Sequence, residues 1–293
     1  MPTQKSTLYP PWLVCDLQGY ASIIHSMQEI DYMRIKHTVL GLVLCISALQ
    51  AVSSAQGKTP QAYRGDKENL HVYLLIGQSN MAGRAPYTQN ESLPIERCYL
   101  LDNSGRWEPA SNPLNRYSTI RKDISMQKMN PGYRFAQAML ETDKTISLGL
   151  VVNAKGGSKI EEWSGASKFY REALRRVVQA QETGTLKGIL WHQGEANVGN
   201  PDKYIDKLIE LVERFRKDLD MPELPFIAGQ IDQVPSINDQ IATLPDRLPF
   251  TGFVSSEGLV TFEEWHFDAT SVKLMGERYA EEMLKIQTSR MTE

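Results

Sequence analysis

Leu70-His-Val-Tyr-Leu-Leu-Ile76, followed by Gly77-Gln-Ser-Asn-Met-Ala-Gly83, is the stretch that decides the fold. A near-continuous apolar run ending at glycine reads as a strand buried on both faces, as strands of parallel sheets are. Polar residues then crowd its carboxyl end, where open α/β sheets bind ligands. A serine on a tight strand-to-helix turn can aim its hydroxyl into that crevice, and a helix N-terminus favours developing negative charge. Ser79 is not in a GxSxG elbow, because Asn80-Met81-Ala82 separate it from the next glycine. Taken alone, the same residues also suit a plain turn with a helix N-cap.

Beyond this stretch, short apolar runs at 98–101, 147–152, 188–191, 225–230 and 252–255 read as further strands. Apolar residues at helical spacing predict helices over 133–141, 169–182, 202–218 and 271–287. The second of these places Tyr170, Leu174, Val177 and Val178 on one stripe. Strands alternating with helices imply βαβ units and a mainly parallel sheet covered on both faces, an α/β fold. No repeat or low-complexity linker marks a second domain. A single domain is therefore expected over residues 70–293, after a polar lead-in at 56–69.

Three other strand ends carry polar groups. Gly156-Gly157-Ser158 can bring backbone N–H groups close to a ligand, or be an ordinary loop. In Trp191-His-Gln-Gly-Glu195, the Gln193 amide can donate to an oxyanion, and Glu195 can orient a base or contact substrate. Strand alternation sets His192 opposite Gln193, towards the core. Phe262-Glu-Glu-Trp-His266-Phe-Asp268 precedes the closing helix. Glu263, three residues before His266, can fold back on Nδ1–H and leave Nε2 to face a nucleophile. Alternatively, Asp268 or Ser271 caps the helix and His266 only packs. After residue 56 the histidines are His71, His192 and His266. His71 starts a strand, far from its carboxyl end, which leaves His266 as the candidate base.

The 293 residues are 41% hydrophobic and 23% charged, an ordinary globular composition. Thirty-two Lys and Arg against 35 Asp and Glu give a net charge of −3, no footprint for nucleic acid. Cys15, Cys45 and Cys98 cannot build a disulfide scaffold, and no CxxC pair suggests zinc. No HExxH, EF-hand, Walker or GxGxxG pattern follows a strand, so neither metal nor organic cofactor is expected.

From Met33 the chain reads as a signal peptide over residues 33–55. Arg34 and Lys36 form the positive region, residues 38–52 the apolar core, and Ser53-Ser-Ala55 a small-residue cleavage site. The apolar run falls short of the ~20 residues of a spanning helix, so no stable membrane insertion is expected after cleavage. Residues 1–32 then read as an over-extended start. A secreted or periplasmic protein is expected.

Together, Gly77-Gln-Ser-Asn-Met81, Gly156-Gly157-Ser158 with Trp163, Trp191-His-Gln-Gly-Glu195 and His266-Phe-Asp268 resemble the SGNH/GDSL-like hydrolases. Within them the chain is similar to the sialate O-acetylesterase-type carbohydrate esterases, including the acetyl xylan esterases of carbohydrate esterase family six. The resemblance implies a three-layer α/β/α sandwich around a mainly parallel sheet of about five strands. It implies Ser79 as nucleophile, His266 as general base, and an oxyanion hole from the Ser79 N–H, Gly156 or Gly157 N–H, and the Gln193 amide. Gln78, Asn80, Glu195 and Asp268 become substrate or supporting residues. Glu263 stands where the family has Asp, so Glu195 and Asp268 remain alternatives for orienting His266. The implied activity is removal of O-acetyl groups from carbohydrate, such as acetylated xylan or a related glycan, with no cofactor. A glycan-binding module with impaired catalysis, or an esterase for sialate or a short acyl lipid, are the alternatives.

Overall fold

The apolar run becomes the central strand of a seven-stranded sheet. The computed structural model describes residues 63–289; the segment read as a signal peptide at 33–55, the stretch before it and the first half of the lead-in lie outside them. In chain order the strands are β1 (Leu70–Gly77), β2 (Cys98–Leu101), β3 (Trp107–Pro109), β4 (Ser147–Val152), β5 (Thr185–His192), β6 (Phe226–Gly229) and β7 (Thr251–Val254). The sheet order is β3-β2-β4-β1-β5-β6-β7. All pairs are parallel except the short edge pair β2–β3.

Alternation along β1 builds two cores. Leu70, Val72, Leu74 and Ile76 join the layer beneath α3 (Lys168–Ala180), α4 (Tyr204–Asp218) and α5 (Pro235–Ala242). Tyr73 and Leu75 join the opposite layer, with Phe135 and Met139 of α2 (Gly132–Thr142) and Tyr279 and Met283 of α7 (Ala269–Ser289). Every β1 residue except His71 is buried, because helices cover both faces. The three-layer α/β/α arrangement is as expected. The strand count is corrected from about five to seven, mainly because Trp107–Pro109 is a three-residue edge strand too short for any periodicity. Val178 is 50% exposed and leaves the buried stripe that Tyr170 and Val177 hold. Two helices missing from the sequence reading, α5 and α6 (Leu244–Arg247), occupy what looked like a loop; each carries Pro in its first turn.

Candidate active site

The Ser79 turn is set by β1 itself. Gly77 has φ +133°, and a Cβ there would stand 2.1 Å from the His192 carbonyl oxygen of β5. Only glycine lets the chain leave the sheet in this way. The Gln78 N–H donates to the His192 carbonyl at 2.8 Å, and the Lys155 N–H to that of Gly77 at 2.9 Å. Ser79 is thereby the first residue of the short helix α1 (Ser79–Ala82), buried but for the cleft it lines.

His266 reaches the same cleft from the loop before α7. Its Nδ1 lies 2.8 Å from Glu263 Oε2. With Nδ1–H donating to that carboxylate, Nε2 carries the lone pair. Asp268 accepts the Ser271 N–H at 2.7 Å and caps the last helix. Glu195 accepts from the Asn80 amide at 2.8 Å. Of the three carboxylates weighed from the sequence, Glu263 is thus the one against His266. Its extra methylene is accommodated because the side chain lies largely in solvent, 60% exposed.

The cleft holds about 290 Å³ and is lined by Ser79, His266, Gly156, Gly157, Gln78, Glu195, Arg84 and Lys122, among others. The absent side chain of Gly156 leaves a gap between Ser79 Cβ and an Arg84 guanidinium nitrogen, both within 4 Å of where its Cβ would stand. Among the described residues, no protein acceptor takes the N–H of Ser79, Gly156 or Gly157. Such donors at a helix start and a glycine loop can hold an oxyanion.

Gln193 departs from its expected place. It is fully buried below the cleft. Its amide nitrogen lies within donating distance of Asn197 Oδ1 at 2.8 Å, the Ser158 carbonyl at 3.1 Å and Gln78 Oε1 at 3.1 Å. Two amide hydrogens are committed three ways, which leaves nothing to donate to a ligand. Gln193 braces Gln78 and the Ser158 loop instead. The physical reason is that β5 ends at His192 and Gly194 takes φ +158°, so strand alternation no longer sets the direction of residue 193.

Next to Asn80 lies a buried pair, His192 Nε2 and Glu195 Oε1, 3.7 Å apart. His192 is fully buried, with its titration pushed down to about 3 by burial, and so stays neutral. Glu195 is pushed up to about 7, chiefly by burial and further by Asp232, against lowering interactions with its own backbone N–H, the Asn80 amide and the Gly194 N–H. Among the described residues, its Oε2 and the His192 Nε2 meet no hydrogen-bonding side chain or backbone group.

Arg84, Lys122 and Met126 also line the cleft and were not singled out in the sequence; Trp265, one of the aromatics that the sequence offers as a sugar platform, lines it too. Of the first three, only Arg84 carried a signal, a cation directly after the Ser79 turn. Among the described residues no three His, Cys, Asp or Glu side chains gather to hold a metal ion, and no helix is long and apolar enough to cross a membrane.

The family profile "carbohydrate esterase, sialic acid-specific acetylesterase" matches residues 69–285. The chain belongs to this family. This carbohydrate esterase is 32% identical over 194 residues to a probable carbohydrate esterase of Arabidopsis thaliana, covering 56% of this chain and 72% of the relative. A solved Arabidopsis thaliana structure superposes with a TM-score of 0.67 at 26% identity, over 74% of this chain and 98% of its own. A carbohydrate acetylesterase from Xanthomonas citri shares the fold, with a TM-score of 0.56 at 19% identity, over 74% of this chain and 56% of its own. The esterase is a carboxylic ester hydrolase of the carbohydrate-deacetylating kind.

Proposed function

We propose that the enzyme cleaves O-acetyl esters of carbohydrate through an acetyl-enzyme on Ser79. His266 Nε2 takes the Ser79 hydroxyl proton while Oγ attacks the acetyl carbonyl. The oxyanion is held by the N–H groups of Ser79 and of Gly156 or Gly157, each worth about 3 kcal/mol at the transition state. The imidazolium, steadied by Glu263, gives its proton to the departing sugar hydroxyl. Water then attacks the acetyl-enzyme by the same route and acetate leaves.

One observation carries the proposal: residues 79 and 266, far apart in the chain, line one cleft, with Glu263 on Nδ1 and unspent N–H groups beside the serine. Ser79→Ala is expected to lower acetate release from 4-nitrophenyl acetate and from acetylated glycans by ~10³-fold or more. Undiminished turnover overturns the proposal.

The finer substrate is an acetylated polysaccharide such as xylan, or an acetylated acidic sugar such as sialate. Arg84 and Lys122 on the cleft wall favour the acidic sugar, since both can meet a carboxylate. Acetate release from acetylated xylan and from O-acetyl sialate, compared side by side, decides between them. In the same proposal residues 33–55 direct export. The mature N-terminus recovered from a periplasmic or extracellular fraction should then lie near Gln56, and an intact leader there overturns export by cleavage.

A further inference from the structure

The His266 loop is mostly tied to itself. The Phe262 N–H donates to the His266 carbonyl at 3.0 Å, the Asp268 N–H to that of Val260 at 3.0 Å, and the Val260 N–H to Ser271 Oγ at 2.8 Å. These bonds lie within the loop and the start of α7, while Phe267 packs in the core against the His192 ring; none of them ties the loop to the Ser79 turn.

Asn80 supplies that connection. It directly follows Ser79 and is 1% exposed. Its amide nitrogen donates to the Trp265 carbonyl at 2.9 Å, and its Oδ1 accepts the Phe267 N–H at 3.2 Å. The two residues held are the chain neighbours of His266 on either side. The orientation of the amide is decided by its partners: a carbonyl can only accept and a peptide N–H can only donate. The second amide hydrogen goes to Glu195 Oε1 at 2.8 Å, so the side chain is held from three directions.

We propose that Asn80 is a positioning residue, whose carboxamide grips the backbone on both sides of His266 and sets the imidazole at working distance from Ser79. The inference rests on the serine-esterase proposal above. Nucleophile and grip share one turn, so they move together, and the base follows.

A double-mutant cycle tests it on the full chain, with kcat and KM for 4-nitrophenyl acetate measured for wild type, Asn80→Ala, His266→Ala and the double variant. Asn80→Ala is expected to lower kcat by ~10²-fold, with KM held within about threefold, because a small misplacement of a reacting group costs that much. In the His266→Ala background the same change should cost less than about threefold, since nothing remains to be positioned. An equal loss in both backgrounds marks Asn80 as merely structural and overturns the proposal; no loss in wild type does so too. Should Asn80→Ala fail to fold, Asn80→Asp replaces it, with nearly the same shape. It keeps the acceptor for the Phe267 N–H but turns a carboxylate towards the Trp265 carbonyl. About a tenfold loss, again dependent on His266, is then expected, and its absence counts against the grip. Ser79→Ala runs alongside. Full activity in that variant defeats the nucleophile assignment, whereas an inactive Ser79→Ala beside a fully active Asn80 variant defeats the grip alone.

Discussion

The two halves of the site are built by opposite means. Ser79 leaves the central strand through a glycine pressed against β5, and its neighbours Gln78, Asn80, Met81 and Ala82 are all buried. His266 hangs in a loop whose Phe262, Glu263 and Glu264 are exposed. Ser79 is placed by the fold, and His266 by a few hydrogen bonds added to it. Damage to the backbone turn of the first half should therefore appear as lost stability, and damage to the second half as lost turnover in a folded protein.

The largest effect is expected at Gly77. Gly77→Ala pushes a methyl into the His192 carbonyl at a φ that side chains rarely adopt. A loss of about 3 kcal/mol or more should follow, read as a steep fall in Tm. An unchanged Tm would break the comparison on its rigid side. Glu263→Ala should instead leave Tm nearly unchanged, because the carboxylate is mostly solvated. Its kcat should drop by roughly 10²-fold as the His266 tautomer and charge lose support. A Tm loss matching the activity loss would show that the base side is integral to the fold after all.

The smallest effect concerns the ground between the halves. Glu195 keeps its proton to about pH 7 when folded, whereas an exposed Glu releases it near its ordinary 4.5. Between those values the unfolded chain binds fewer protons, so stability falls as pH rises through that window and the loss is complete above it. Glu195→Gln carries no such charge. Its Tm should decline less than that of wild type between pH 5 and pH 8, and parallel curves would show that the carboxyl ionises as it does in water.

The central layer was legible because burial on both faces leaves a plain mark: residues 70–76 could hardly be anything else. The cleft was legible in part: Ser79, Gly156 and His266, singled out in the sequence, line it, and Glu263 lies against His266. It was not legible where direction depends on backbone turns. Gln193 was read as a ligand donor because its amide follows a strand end, but that amide turns inward to Asn197, Ser158 and Gln78. The Asn80 contacts to residues 265 and 267 join segments about 185 positions apart, and no local pattern encodes them. Short elements fared worst: three residues at Trp107–Pro109 cannot show a period, and α5 hid behind its opening proline.

The closing helix α7 begins three residues after His266 and runs down the far face of the sheet. Midway along it, the Tyr279 hydroxyl donates to the Trp191 carbonyl of β5 at 2.6 Å. Farther along, Met283 fills the space left by Gly188 on the same strand. The helix is thus a rigid shaft anchored on the strand that ends beside Glu195, with the imidazole at its tip. If His266 is the base proposed above, variants along that shaft, remote from any sugar, should be felt in the chemistry as a change of aim.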